Sequence, residues 1–186
     1  MKIIVDVDGV LADLMTLVVA WVNARYGTHF KRSDIREWNQ PLEGTGTDIG
    51  TVIAELMLDD TFLLKIPSVE GSIGGMKCLN CRYHVMLATA RPHSATSLTM
   101  KWLWKRDIHW KNYVTCVHHP KSQERGDVLI DDNVDNCLQF AGTGRVAILF
   151  DQPWNRDFIG ASGSRIVRAR GWEDVLGILK GMEVRA

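Results

Sequence analysis

The stretch whose reading decides the fold is residues 1–14, MKIIVDVDGVLADL. An apolar run, Ile3 to Val5, leads into Asp6, Asp8 and Asp13, with Gly9 among them. A short, continuously apolar run bounded by a turn signal reads as a strand covered on both faces, as in a parallel sheet. Its acids then fall at the strand's C-terminal end, where open parallel sheets gather their functional groups. Gly9 suits a turn that brings backbone N–H groups close to an anion. Asp13 reads as a cap for the following helix or a brace for the loop, not as a chemical group.

Outward from this stretch the pattern recurs. YHVMLAT (83–89), YVTCV (113–117), DVLIDD (127–132) and RVAILF (145–150) are apolar runs that end in polar or turn-forming residues. Helical patterns lie at 13–27, 47–58, 72–81, 95–107, 133–142 and 171–182. This alternation predicts an α/β fold, a Rossmann-like, doubly wound parallel sheet. The interval between the first two strands is too long for a single crossover. It predicts a small helical cap inserted after the first strand, residues 14–67, over the sheet's C-terminal edge. Residues 1–13 and 68–186 would form the α/β core.

The chain has 186 residues, enough for one domain with a modest insertion and a substantial core. Its 22 basic and 22 acidic residues cancel, and the pI is near 7.0. That balance argues against a general surface for polymeric nucleic acid or anionic membranes. No apolar stretch approaches the roughly 20 residues of a membrane span, and the N-terminus lacks a secretory signal pattern. The expected location is cytoplasmic, and a homodimer is compatible with the sequence. MKWLWKRDIHW (100–110) sets Trp102 and Trp104 beside Lys101, Lys105 and Arg106. It reads as a helix that packs its aromatics on the sheet and solvates its lysines, rather than as a base-stacking surface.

The four cysteines fit a reducing compartment. CLNC (78–81) and CVHH (116–119) offer Cys78, Cys81, Cys116, His118 and His119, a set from which tetrahedral zinc ligands could be drawn. The competing reading turns Cys78 and Cys81 toward a helix interior and packs Cys116 and Cys137 as small hydrophobes.

The strand ends bring together Asp6 and Asp8, Thr89 within ATARP, Lys121, and the Asp131–Asp132 pair. Uncompensated carboxylates in one place would repel, and desolvating them costs several kcal/mol. A hard divalent cation compensates them, and Mg²⁺ favours such carboxylate-and-water surroundings.

DVDGVLAD (6–13) resembles the first motif of the haloacid dehalogenase (HAD) superfamily of phosphotransferases. LATAR (87–91) resembles its second motif, Lys121 its third, and GDVLIDDN (126–133) its fourth. More narrowly, DVDGVLADL, IPSVEG, the step from Lys121 to Asp131, LFDQPWN and the final GWEDV resemble the 5′(3′)-deoxyribonucleotidase family. The resemblance implies a Mg²⁺-dependent phosphomonoesterase acting on deoxyribonucleoside monophosphates. Asp6 would be the nucleophile, forming an aspartyl-phosphate, and Asp8 the general acid and base. Asp6, the Asp8 carbonyl and Asp132 or Asp131 would hold the metal; the resemblance favours Asp132. Thr89, the Ala90 amide and Lys121 would bind phosphate. Substrate selection would come from the cap, with Phe62 or Trp38 stacking on a base. Arg91 is a further candidate substrate contact, although it departs from a family pattern in which serine and proline follow the threonine. A phosphatase for another small metabolite such as a sugar phosphate remains an alternative. So does a non-catalytic module that binds nucleotide or zinc.

Overall fold

A computed structural model describes residues 1–160 and 163–183. The strands are β1 (Lys2–Val5), β2 (Pro41–Leu42), β3 (Thr47–Asp48), β4 (His84–Thr89), β5 (Asn112–Thr115), β6 (Val128–Asp131), β7 (Val146–Phe150) and β8 (Ile166–Ala169). The helices are α1 (Leu14–Tyr26), α2 (Ile49–Leu56), α3 (Asp60–Lys65), α4 (Ser72–Arg82), α5 (Thr96–Lys105), α6 (Val134–Gly142) and α7 (Trp172–Glu183). Six strands form one sheet in the order β5-β4-β1-β6-β7-β8, and every pairing is parallel. The predicted α/β class and parallel sheet are present.

The period-two alternation of a strand explains the two cores. In β1, Ile3 and Val5 face one side, with Trp102, Leu103, Met76, Val175 and Leu179 of α5, α4 and α7. Ile4 faces the other, with Leu129, Ala147, Cys137 and Phe140, so α6 covers that face. The chain leaves β1 for β4 and β5, then returns to β6 and runs out to β8. Strand order therefore reverses between β1 and β6, the place where open α/β sheets bind ligands.

The insertion after β1 differs in part from the all-helical expectation. Besides α1, α2 and α3 it carries the two-residue antiparallel pair β2–β3, too short to leave a period in the sequence. Its buried Val18, Leu42, Ile49 and Leu63 belong to the same apolar cluster as Ile3 and Val5. Asp13 caps α1, accepting from the Thr16 N–H at 3.4 Å and its hydroxyl at 2.7 Å, and pairs with Arg32 at 3.1 Å. Strand β8 is not evident in the sequence because it is a short edge strand, its apolar run broken by Arg168 and flanked by Arg165 and Arg170, and exposed at Val167. Trp102 and Trp104, two positions apart on α5, point to different sides of the helix. Trp102 is fully buried and donates to the Ile66 carbonyl at 2.7 Å, whereas Trp104 is 77% exposed rather than packed on the sheet.

Trp172 fastens α7 to the rest. Its indole N–H donates to the Val10 carbonyl at 3.0 Å, and its ring lies so close to α4 that a Cβ on Gly75 would come within 2.1 Å of it. A rigid, buried indole cannot move aside cheaply. Gly75→Ala is therefore expected to cost about 1–3 kcal/mol, the usual penalty of overpacking, seen as a lower urea midpoint at unchanged slope.

Candidate active site

The strand ends deliver the acids. Val5 pairs with Ile130 across β1 and β6, so the next residues, Asp6 and Asp131, emerge side by side. Between them lies Lys121, on a single helical turn in the β5–β6 connection. Its ammonium donates to Asp6 Oδ1 and Asp131 Oδ2, each at 2.7 Å, and the residue is only 3% exposed. Burial alone would lower the Lys121 pKa, but the charges of Asp131 and Asp6 outweigh it and raise it. Burial also pushes the Asp6 carboxyl up to about 7, despite the opposing pull of Lys121. Asp132, likewise buried and beside Asp6 and Asp131, is raised well above the usual carboxylate range.

The individual carboxylate oxygens differ in occupancy. Asp6 Oδ1 accepts from Lys121 and from the Val7 N–H at 2.7 Å. Among the described residues Asp6 Oδ2 receives no hydrogen bond. Asp131 is saturated: Lys121, the Asn133 N–H at 2.9 Å and the Asn136 amide all donate to it. Asp132 Oδ2 accepts from the Trp154 indole at 2.8 Å, while its main-chain carbonyl accepts from Asn155 at 2.8 Å. Gly9, at φ +78°, crosses directly over this acid: an added Cβ would lie 2.1 Å from Asp132 Oδ2. Only glycine meets both the backbone angle and the close approach.

Asp8 is gripped from below. Arg91 donates to Asp8 Oδ2 at 2.8 Å and Oδ1 at 2.7 Å, and to the Thr99 hydroxyl at 3.1 Å. Arg91 is 2% exposed, so its guanidinium is committed to Asp8 rather than extended to a ligand. Thr89 is fully buried, and its hydroxyl oxygen accepts from the Arg91 N–H at 3.2 Å.

A cleft of about 560 Å³ opens over these groups. Asp6, Asp8, Lys121, Asp132, Asn133 and Asn136 form its polar floor, with Ala90 and Arg91 beside them. The opposite wall is apolar: Trp38 together with Ile53, Ala54 and Met57 from α2 and its end. Of the residues expected to select substrate, Trp38 lines the cleft; Phe62 does not and is buried in the main core. In sequence, a core aromatic and a ligand-facing one carry the same signal. Trp154, Asn136 and the α2 wall were not singled out from sequence. Trp154 lies in LFDQPWN, one of the stretches that carry the family resemblance.

Asp6, Asp131 and Asp132 have carboxylate oxygens within 4.8 Å of one another, as a shared cation requires. The ion pairs that reach the four acids from the described residues come from Lys121 and Arg91. With all four acids ionised, two negative charges remain, the balance a divalent cation would meet. The predicted zinc set is not assembled. Cys78 and Cys81 are exposed on α4 and join no metal-binding group among the described residues.

A parallel sheet with an acid pair after its central strand and a lysine and second acid pair from neighbouring segments is the arrangement of haloacid dehalogenase-like phosphatases. Solved structures agree on the fold. A haloacid dehalogenase-like family hydrolase from Streptococcus pneumoniae superimposes with a TM-score of 0.64 at 14% identity, covering 96% of this chain and 97% of that one. The HAD-hydrolase YfnB of Bacillus subtilis, solved bound to magnesium, gives 0.62 at 11% identity, covering 96% and 97%. The chain belongs to the family described as 5′ nucleotidase, deoxy (pyrimidine), cytosolic type C, whose model matches residues 1–186. It is 30% identical over 178 residues to a 5′(3′)-deoxyribonucleotidase of Bacillus subtilis, covering 93% of this chain and 95% of that protein. The chain is thus a hydrolase of the phosphomonoesterase kind. Among the described residues no helix is long and apolar enough to cross a membrane.

The raised Asp6 value sets a pH dependence. A carboxyl whose folded pKa exceeds its unfolded value lends stability below the unfolded value, and that stability is lost as pH rises through the folded one. In chelator, the melting temperature should fall between pH 5 and pH 8. Asp6→Asn should shrink that fall, leaving the part due to Asp132. Thermal melts across this range would show it, and an unchanged slope in the variant would contradict the assignment.

Proposed function

We propose that the protein is a Mg²⁺-dependent phosphatase of deoxyribonucleoside monophosphates that works through an aspartyl-phosphate on Asp6. The observation that carries this reading is the unequal occupancy of the Asp6 carboxylate. Lys121 and the Val7 N–H hold Oδ1, which leaves Oδ2 free to attack phosphorus at the mouth of the cleft.

Each neighbouring residue then has a distinct task. Asp8 donates a proton to the departing ester oxygen and later takes one from the water that cleaves the aspartyl-phosphate, a role typically worth ~10²–10⁴-fold. Arg91 aims Asp8 through two parallel bonds and compensates the charge left on it after transfer. Two Lys121 protons are committed to Asp6 and Asp131, and the third is available to a phosphoryl oxygen. The Thr89 oxygen accepts from Arg91, so its own proton remains to donate. Asp6 and Asp132, with the Asp8 carbonyl that family resemblance adds, would hold Mg²⁺. Asp131, saturated by Lys121, Asn133 and Asn136, instead orients the lysine. When bound, the cation would offset the repulsion between the acids and a phosphate dianion.

Residues 14–67 serve as the cap in this reading. The α2 wall and Trp38 present an apolar surface opposite the phosphate floor, which suits a flat base at one end and a phosphate at the other. A volume of about 560 Å³ lies in the usual range for small-molecule sites, ~300–1,000 Å³.

The test is phosphate release from a panel of mononucleotides and sugar phosphates. Deoxyribonucleoside monophosphates should lead the panel, chelator should silence the reaction and Mg²⁺ restore it. Asp6→Asn should abolish turnover, and Asp8→Asn should lower it ~10²–10⁴-fold. A panel led by sugar phosphates would overturn the substrate while sparing the mechanism. Wild-type turnover in Asp6→Asn would overturn both.

A further inference from the structure

We propose that Cys116, His119 and Glu124 form a second cation site, separate from the acidic one, that takes a thiophilic divalent ion such as Zn²⁺ and clamps the turn carrying Lys121. The cysteine sulfur, a histidine ring nitrogen and a glutamate oxygen all lie within 4.8 Å of one another. His119 Nε2 and Glu124 Oε1 are already 2.8 Å apart. Zinc binds such ligands at about 2.0–2.3 Å, so a small rearrangement around an ion, with the His119–Glu124 pair opening slightly, would satisfy all three.

Ligand chemistry separates this site from the carboxylate cluster. A thiolate and an imidazole favour zinc-like ions, whereas carboxylates and water suit Mg²⁺. Three protein ligands leave a fourth position for water. His119 and Glu124 keep a third and a fifth of their side chains exposed (33% and 21%), so an ion can enter from solvent. The backbone that bears them is held at both ends. The Cys116 N–H donates to the Thr89 carbonyl at 2.7 Å, and Arg145 donates to the Glu124 carbonyl at 2.7 Å and the Gly126 carbonyl at 3.1 Å, and also to that of Ser122. Burial pushes the Cys116 thiol up to about 11, so the thiol holds its proton until an ion displaces it.

The placement gives the ion a consequence. Cys116 directly follows β5, and Glu124 closes the turn Lys121–Gln123, its N–H donating to the Lys121 carbonyl at 3.1 Å. An ion joining Cys116 to Glu124 fixes the loop on both sides of Lys121 without touching Asp6, Asp131 or Asp132.

Co²⁺ titration of the purified chain in excess Mg²⁺ tests the site, because only a thiolate ligand produces a sulfur-to-cobalt charge-transfer band. The band should saturate at one equivalent, bleach when Zn²⁺ displaces Co²⁺, and vanish in Cys116→Ser. His119→Ala and Glu124→Gln, substitutions at partly exposed positions that spare the fold, should bind roughly 10–100-fold more weakly or worse, the loss that even second-sphere partners produce. The double variant Cys78→Ser/Cys81→Ser should behave as wild type. Zn²⁺ should slow hydrogen exchange across residues 116–124. Absence of the band, its survival in Cys116→Ser, or its loss in the Cys78/Cys81 double variant would overturn the site, and unchanged exchange would overturn the clamp. None of these readouts depends on turnover, so they stand or fall apart from the substrate assignment.

Discussion

The buried ammonium of Lys121 is the interaction on which the rest of the site depends. Sheet pairing forces Asp6 and Asp131 together, since β1 and β6 are neighbours and their acids are the next residues out. Two adjacent, nearly inaccessible carboxylates would repel without a cation between them, and removing one partner of a buried ion pair typically costs about 3–5 kcal/mol. The lysine cannot come from either strand. It comes from the connection that returns from β5, past β4 and β1, to β6, and a single turn entered through Pro120 points it inward. Lys121 thus joins the two halves of the sheet at the point where strand order reverses.

A second chain of contacts ties the inserted segment to the same acids. Trp154 donates to Asp132, its ring lies 5.2 Å from that of Trp38, and the Arg32 guanidinium sits 5.4 Å from its centroid. Arg32 also bonds Gln152, whose amide donates to the Gly9 carbonyl at 2.5 Å. Asp13 completes the link by pairing with Arg32 while it caps α1. The loop after β7, the loop after β1 and the insertion are therefore joined by one set of side chains around Asp132 and Gly9. A movement of the insertion would be felt at the acid that faces the cleft.

Much of this was legible in the sequence, for a physical reason. Buried parallel strands require unbroken apolar runs, so five of the six main-sheet strands stood out, and acids at their ends are costly enough to signal a shared cation. Edge strand β8 and the β2–β3 pair did not stand out, one because arginines interrupt its apolar run and the other because two residues carry no period. Within the site, charged residues were easier to place than their partners. Asn136 reads as a helix residue near a cap, Trp154 as a loop aromatic and the α2 wall as ordinary core. Phe62 and Trp38 looked alike, and only the packing separates a core ring from one that lines the cleft. CLNC and CVHH suggested a zinc set, but α4 holds the first pair on an exposed face, and the third ligand near Cys116 and His119 is Glu124, an acid with no motif around it.

Arg91 shows how geometry revises a role read from sequence. An arginine at a strand end beside a proposed phosphate site looks like an anion ligand. Here both carboxylate oxygens of Asp8 and the Thr99 hydroxyl occupy it, and it is sealed from solvent. That changes the charge balance of the cleft. Four acids face two cations, and both cations are already paired with acids. A phosphate dianion entering such a floor would add two further negative charges and meet only the remaining donors of Lys121, Thr89 and the backbone. Short-range hydrogen bonds cannot offset that repulsion in a partly desolvated site, because Coulomb energies there exceed those in water several-fold. On the proposed function, then, the divalent cation offsets the charge that phosphate brings into the cleft, and Asp6 and Asp132, which line the cleft and each keep a carboxylate oxygen without a hydrogen bond among the described residues, are where its hold would begin.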